Sequence, residues 1–192
     1  MEASIPFDDT AAWVRRARAG DEDAFALLVA RHERMVLRTS LRLLGRMDLA
    51  QDAAQEAFLR LHRYLARFDE SRELGPWLYR VVVNVCRNEL GRMAHSPRVL
   101  ALDEARDVAS ATDRTASLDH ALDLEEQRRL VRAALLTLSP KEREAVVLRD
   151  LEGLDTAQVA RILGSSETTV RSQISKGRLK IKRYVESHGG TR

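Results

Sequence analysis

Apolar residues recur along this chain at spacings of three and four, and the strict alternation that marks strands is almost absent. After a loose start over Met1–Thr10, Ala11–Ala19 has the pattern of a short helix with Trp13 and Val14 inward. Gly20 breaks it. Asp21 then caps a long amphipathic helix to about Leu44, with Phe25, Leu28, Val29, Met35, Val36, Leu43 and Leu44 as its core and Gly45 as its stop. Asp48 and Gln51 have capping-box spacing and open a third helix to about Phe68, which turns Ala54, Ala57, Phe58, Leu61, Leu65 and Phe68 inward. Beyond the polar stretch Asp69–Pro76, the β-branched run after Trp77 could read as a strand. However, Trp77, Leu78, Val81, Val82, Val85 and Leu90 keep helical spacing, so this is a buried helix with Arg80, Asn84, Arg87 and Asn88 on one basic, amide-rich face. Periodicity fades from His95 to about Ser117 and resumes in a helix from near Leu118 to Leu138. Ser139-Pro140-Lys141-Glu142 then starts another, with Ala145, Val146, Leu148 and Leu151 on its apolar side.

The last segment has the clearest local logic. Asp155 and Gln158 form a capping box, Val159, Ile162 and Leu163 give an apolar face, and Gly164 is a left-handed stop. Ser165 or Ser166 caps a second helix with Val170, Ile174 and Ile181 inward. Thr168, Thr169, Arg171, Ser172, Gln173, Ser175, Lys176 and Arg178 stay outside. Small hydroxyls allow close approach to a DNA major groove, and guanidinium and amide groups reach base edges. Gly177 inside this helix costs about 1 kcal/mol against alanine. The pattern is a helix-turn-helix.

Charge sharpens the picture. Net charge is only +3 over 192 residues, so basic character is local. Arg161 to Arg183 holds seven cations against one anion, Glu167. A solvated helix end would account for such a run taken alone, but not for the capped pair of helices around the turn. Arg98 to Glu126 holds eight acids and three arginines and reads as an acidic tether that will not lie on phosphate by itself. On the third helix, Asp52, Gln55, Glu56, Leu59 and Arg63 form a second stripe. It is either a solvated face or a docking face for a basic helix of a protein partner, since acids there would repel DNA. Trp77 and Tyr79 are ordinary packing residues, or they stack on unpaired bases beside Arg80, Asn84 and Arg87.

Several function classes drop away. Cys86 is the one cysteine, so no intrachain disulfide forms, and its apolar surroundings mark a packed thiol in a reducing compartment. His32, His62, His95, His120 and His188 are scattered, which argues against a metal site. There is no phosphate-cradling glycine loop, nucleophile–base pair, signal peptide or membrane-length apolar run. The expectation is a cytoplasmic, non-enzymatic protein with no cofactor, no small-molecule substrate and no membrane insertion.

Two ordered motif sets resemble the bacterial sigma factors of the extracytoplasmic-function group over nearly the whole chain. Gly20-Asp21-Glu22-Asp23-Ala24-Phe25, the run Asp48 to Leu61, and Trp77-Leu78-Tyr79-Arg80 with Asn84 are similar to sigma region 2. Leu138-Ser139-Pro140-Lys141-Glu142-Arg143 and Thr169-Val170-Arg171-Ser172 are similar to region 4. The resemblance implies an all-α fold of two small helical domains, 1–95 and 121–192, joined by a flexible acidic linker, 96–120. It implies that Asp52, Gln55, Glu56 and Leu59 meet the β′ coiled coil of core RNA polymerase, with the β subunit as a further partner. Phe68, Asp69, Ser71, Arg72, Trp77, Arg80, Asn84 and Arg87 would open the −10 element and hold an unstacked base. Arg149, Thr168, Thr169, Arg171, Ser172, Gln173, Ser175, Lys176 and Arg178 would face the −35 element. Promoter DNA and an anti-sigma protein complete the expected partners. The alternatives are a helix-turn-helix regulator that binds operators unaided through an N-terminal dimerisation or ligand module and, less well supported, a helical adaptor.

Overall fold

The computed structural model describes residues 10–69, 72–95 and 118–189, and every regular element among them is helical. The N-terminal group comprises α1 (Thr10–Arg18), α2 (Glu22–Leu44), α3 (Met47–Leu65) and α4 (Leu74–His95). The C-terminal group comprises α5 (Leu118–Leu136), α6 (Pro140–Val146), a π-helical turn (Val147–Leu151), α7 (Thr156–Leu163) and α8 (Glu167–His188). The loose start (residues 1–9), most of the tether (96–117) and Ser71 lie outside the described residues.

Most helix ends follow local chemistry. Asp21 accepts from the Ala24 N–H, and Gly45 closes α2 at φ +76°. Complete capping boxes open α6 at Ser139/Glu142 and α7 at Asp155/Gln158. Of the two candidate serines, Ser166 caps α8. The expected Asp48/Gln51 box does not form. The helix starts earlier, at Met47, behind Arg46, which makes no side-chain cap, and Asp48 instead pairs with Arg46 at 2.5 Å. Inside the first turn, a carboxylate interacts with the helix dipole and has no need to cap. Two ends also fall short of expectation: α3 stops at Leu65 rather than Phe68, and α5 at Leu136 rather than Leu138.

Trp13, Val14, Leu28, Leu61, Leu65, Phe68 and Leu74 form a small cluster under α1, while Phe25, Val29 and Met35 are only half-buried. The larger cluster is continuous through both groups. Val36, Leu43, Leu78, Val82 and Val85 share it with Leu135, Val146, Leu148, Val159 and Ile162. Cys86 lies in it, and burial pushes its thiol up to about 12, far from any thiolate chemistry at neutral pH.

Arg143 is the unexpected element of this core. It is buried, and it donates to the carbonyls of Leu135 (2.9 Å), Leu136 (2.8 Å) and Leu138 (3.3 Å) at and just beyond the end of α5, where Leu135 also accepts from the Leu138 N–H. Its Nη1 also reaches the Leu43 carbonyl of α2 at 2.7 Å. Arg143→Met keeps the bulk and removes these hydrogen bonds from a buried site, and it is expected to cost about 3 kcal/mol or more in urea unfolding. An unchanged midpoint would show that the carbonyls are satisfied in another way.

Gly177 is buried where α8 crosses α6. A Cβ there would stand 2.6 Å from Val146 Cγ2 and 3.6 Å from Leu138 Cδ1. Val146 is β-branched and packed on all sides, so it has no free rotamer to yield. The glycine that weakens α8 locally is what lets the helices touch. Gly177→Ala is therefore expected to destabilise by about 1–3 kcal/mol despite its better helix propensity, read as a lower Tm.

Candidate polymerase and nucleic-acid interfaces

On α3, Ala50, Ala53, Ala54, Ala57 and Leu61 are buried, and this turns Asp52, Gln55 and Leu59 fully outward with Glu56 half-exposed. Leu59 is 45% exposed, unusual for a leucine flanked by charges. Glu56 pairs with Arg60 at 2.7 Å, and that hydrogen bond holds its carboxyl below the usual range. An acidic rim around an exposed aliphatic side chain suits a basic helix and repels phosphate.

A second surface forms where α3 meets α4. Tyr64, Arg67, Phe68, Asp69, Arg72 and Trp77 line a cleft of about 210 Å³. Phe68 and Trp77 meet edge to face at 5.7 Å, forming an aromatic floor. Asp69 pairs with Arg72 at 3.1 Å on the rim. Four residues of the expected −10 set thus come together in one cleft. Tyr64 and Arg67 join them without having been singled out from the sequence, because they sit at the frayed end of α3, where helical spacing no longer tells which way a side chain points. Ser71 lies outside the described residues. Arg80, Asn84 and Arg87 continue along one exposed face of α4. Arg87 is engaged there: Nε and Nη2 both meet the Glu144 carboxylate of α6 at 2.7 Å.

The third surface is α8 and its approach. Gly164, at φ +64°, turns the chain between α7 and α8, and Val170 and Ile174 pin α8 to the core. Thr168, Arg171, Ser172, Ser175 and Lys176 are exposed, and Gln173 is half-buried. Thr169 is also exposed, but its hydroxyl lies 2.8 Å from Ser166 Oγ in the cap. Arg171 pairs with Glu167 one turn back at 2.5 Å. Arg178 is gripped by Asp150 of the π-helical turn at 2.9 and 2.5 Å, so its guanidinium is orientated before anything binds. Arg149 sits beside that acid, half-buried. Lys180 is held by Glu142, whose carboxyl stays low chiefly through this contact.

The sequence pattern did not single out Glu152, Arg38 and Arg42, which join the two groups. Glu152, whose side chain is 0% exposed, accepts from Arg38 (2.7 Å) and Arg42 (2.6 Å) of α2 and from the Tyr79 hydroxyl (3.0 Å) of α4. Burial, with the Glu152 charge next, pushes the Tyr79 phenol far up, so it remains a donor. Arg42 also donates to the Leu151 carbonyl at 3.2 Å. Partners of Glu152 lie 73 to 114 residues away, beyond the reach of any local pattern.

Comparisons with known proteins place the chain in a family. The family described as Sigma-70 region 2 matches residues 28–95, and that described as Sigma-70, region 4 matches residues 128–181. The chain is 34% identical over 167 residues to the ECF RNA polymerase sigma factor SigM of Mycobacterium tuberculosis, covering 87% of this chain and 80% of that one. It is 33% identical over 177 residues to the ECF RNA polymerase sigma-E factor of Escherichia coli K12, covering 90% and 92%. Among solved structures, CnrH in complex with the cytosolic domain of CnrY superposes with a TM-score of 0.67 at 26% identity, covering 94% of this chain and 99% of that one. With both regions present in order on one helical chain, and curated relatives matched over most of their length, the chain belongs to the extracytoplasmic-function sigma factors.

Proposed function

We propose that this chain binds core RNA polymerase, directs it to promoters by reading −35 and −10 elements, and assists melting of the duplex where transcription begins. The observation that carries this is the coexistence, on one chain matching regions 2 and 4, of an acidic stripe that DNA would reject and a basic helix-turn-helix that DNA would accept.

Residues 1–95 form the polymerase and −10 unit, 96–120 the tether, and 121–192 the −35 unit. Asp52, Gln55, Glu56 and Leu59 take the β′ coiled coil, and further contacts fall on the β subunit. Phe68, Asp69, Ser71, Arg72 and Trp77 receive a base drawn from the non-template strand, with Arg80, Asn84 and Arg87 along the strand beside it. Unstacking costs a few kcal/mol, so a preformed aromatic floor and cationic support lower the barrier to opening. Arg149, Thr168, Thr169, Arg171, Ser172, Gln173, Ser175, Lys176 and Arg178 approach the −35 duplex in its major groove. Each half binds weakly alone, and mounting both on polymerase raises the effective concentration of one for its element once the other is engaged.

The chain works by binding and positioning, and the bond-making chemistry is the polymerase's. No described helix is long and apolar enough to cross a membrane. CnrH is held by the cytosolic domain of a second protein, and a protein inhibitor of the anti-sigma kind is the corresponding partner here.

Run-off transcription with core polymerase over a promoter library tests the reading directly. Glu56→Arg is expected to weaken core binding by about 2–5 kcal/mol and to abolish run-off product, while circular dichroism stays unchanged. Wild-type binding to a specific duplex without polymerase, together with an active Glu56→Arg, would instead mark an autonomous regulator.

Trp77→Ala removes half of the aromatic floor. Stacking is worth about 1–3 kcal/mol per base, so permanganate footprinting should show a roughly 5- to 150-fold loss of open complex. Binding to a premelted promoter should be affected less than binding to a duplex one. Equal loss on both templates would place Trp77 in packing alone.

A further inference from the structure

Helical geometry sorts the outward residues of α8 into three rows. Val170, Ile174 and Gly177 are buried against the core, with Gln173, Ile181, Tyr184 and Val185 half-buried around them. At 3.6 residues per turn, Leu179 then points directly away from the core. Thr168 and Ser172 lie within about 20° of the same line and Ser175 within about 40°. All four are exposed, Leu179 by 49%, and none carries charge. The exposed cations stand to either side. Arg171, Arg178 and Lys182 lie about 60–100° off the line on one flank, and Lys176, Lys180 and Arg183 about 40–100° off it on the other. Each flank has one cation tied back to the body of the group: Arg178 to Asp150 and Lys180 to Glu142. Glu186, two turns beyond Leu179, has the wrong sign for DNA and ends the stripe.

This is the charge pattern of a duplex major groove in reverse. Two phosphate strands wall the groove and neutral base edges floor it. A helix lying along the groove meets phosphate at both flanks and base edges on its midline. A helix entering end-on would engage its first turn only and leave Lys182 and Arg183 with nothing to hold. From Thr168 to Leu179 the midline runs about 16 Å, which spans roughly five base steps at about 3.4 Å each. The hydroxyls of Thr168, Ser172 and Ser175 donate or accept as required, so they suit any base edge. Leu179 is more selective. A single exposed leucine is ordinary on a protein surface, but this one occupies the midline between two cation rows, and the apolar group on the floor of the major groove is the C5-methyl of thymine.

We propose that α8 lies lengthwise in the major groove of the −35 element with its cations on the two phosphate walls, and that Leu179 is a specificity-determining residue that packs on a thymine methyl group. The inference rests on the functional reading above and divides its −35 residues by task. The cations supply affinity and register, and the uncharged midline supplies the sequence preference.

The test uses holoenzyme on a promoter selected from the run-off library, with the thymines of its −35 element replaced one at a time by uracil, which lacks only the methyl group. At one position uracil should weaken wild-type binding about fourfold, as expected for one buried methyl. Leu179→Ala should bind the thymine and uracil duplexes equally there, with an unchanged Tm, since alanine is a good helix former. Leu179→Met should keep part of the preference. Lys176→Gln and Lys182→Gln, one from each flank, should each lower the slope of log affinity against log salt by about 0.9 and select the same −35 sequence as wild type. Selected −35 elements without thymine, or a uracil effect that is the same in wild type and Leu179→Ala at every position, would overturn the role of Leu179. A changed base preference in either lysine variant would put that lysine on a base edge and overturn the division of tasks. The same uracil comparison is made on duplexes that the free chain selects from a random pool. A chain that ignores core polymerase and keeps the Leu179 effect would discredit the polymerase reading alone. A holoenzyme that selects promoters without a Leu179 effect would discredit this inference alone.

Discussion

The tertiary structure depends on how Glu152 is accommodated. A carboxylate removed from water must find charge and hydrogen bonds in compensation, and the C-terminal group has set this one against Arg38, Arg42 and Tyr79 of the other group. Arg143 makes the converse arrangement, carrying a buried cation from α6 to carbonyls of α5 and α2. These polar contacts cross the interface in both directions. They fix its register more tightly than aliphatic packing alone would, because leucines tolerate sliding and a guanidinium on a carbonyl does not.

The placement of charge divides the surface. Acids that face outward on α3 give that helix a surface that repels phosphate and suits a basic protein partner. Acids near the basic surfaces do something different: Asp150 and Glu142 orientate Arg178 and Lys180, and Glu144 covers Arg87. A net charge of +3 thus conceals a protein in which Arg72, Arg87, Arg171 and Arg178 each already have an anion assigned to them. For such a chain, binding nucleic acid is largely exchange of one anion for another, which makes affinity sensitive to salt and to the state of the interface.

Glycine shows how local and global demands diverge. At Gly45 and Gly164 it serves the backbone, supplying the left-handed conformation that ends a helix. At Gly177 the backbone is ordinary helix, and the need is for space against Val146. Propensity alone counts that residue as a defect in α8, whereas packing makes it the contact point between the recognition helix and its support.

Caps, glycine stops and three-and-four periodicity are short-range, and they fixed the helix-turn-helix, the α6 start and the inward faces of α3 and α4 before any coordinates. The outward residues on those faces, including Asp52, Glu56, Arg80 and Arg171, were legible for the same reason: burying one side of a helix determines the other. Where short-range signals competed, as at Asp48, the pattern misassigned a cap, because a carboxylate near a helix start is favourable both as cap and as first-turn charge. The roles of Glu144, Glu152 and Arg143 were not legible. Each depends on partners far away in the chain, and nothing in the spacing of a sequence records which buried charge will meet which. That pairing was decided only when the two helical groups closed on each other.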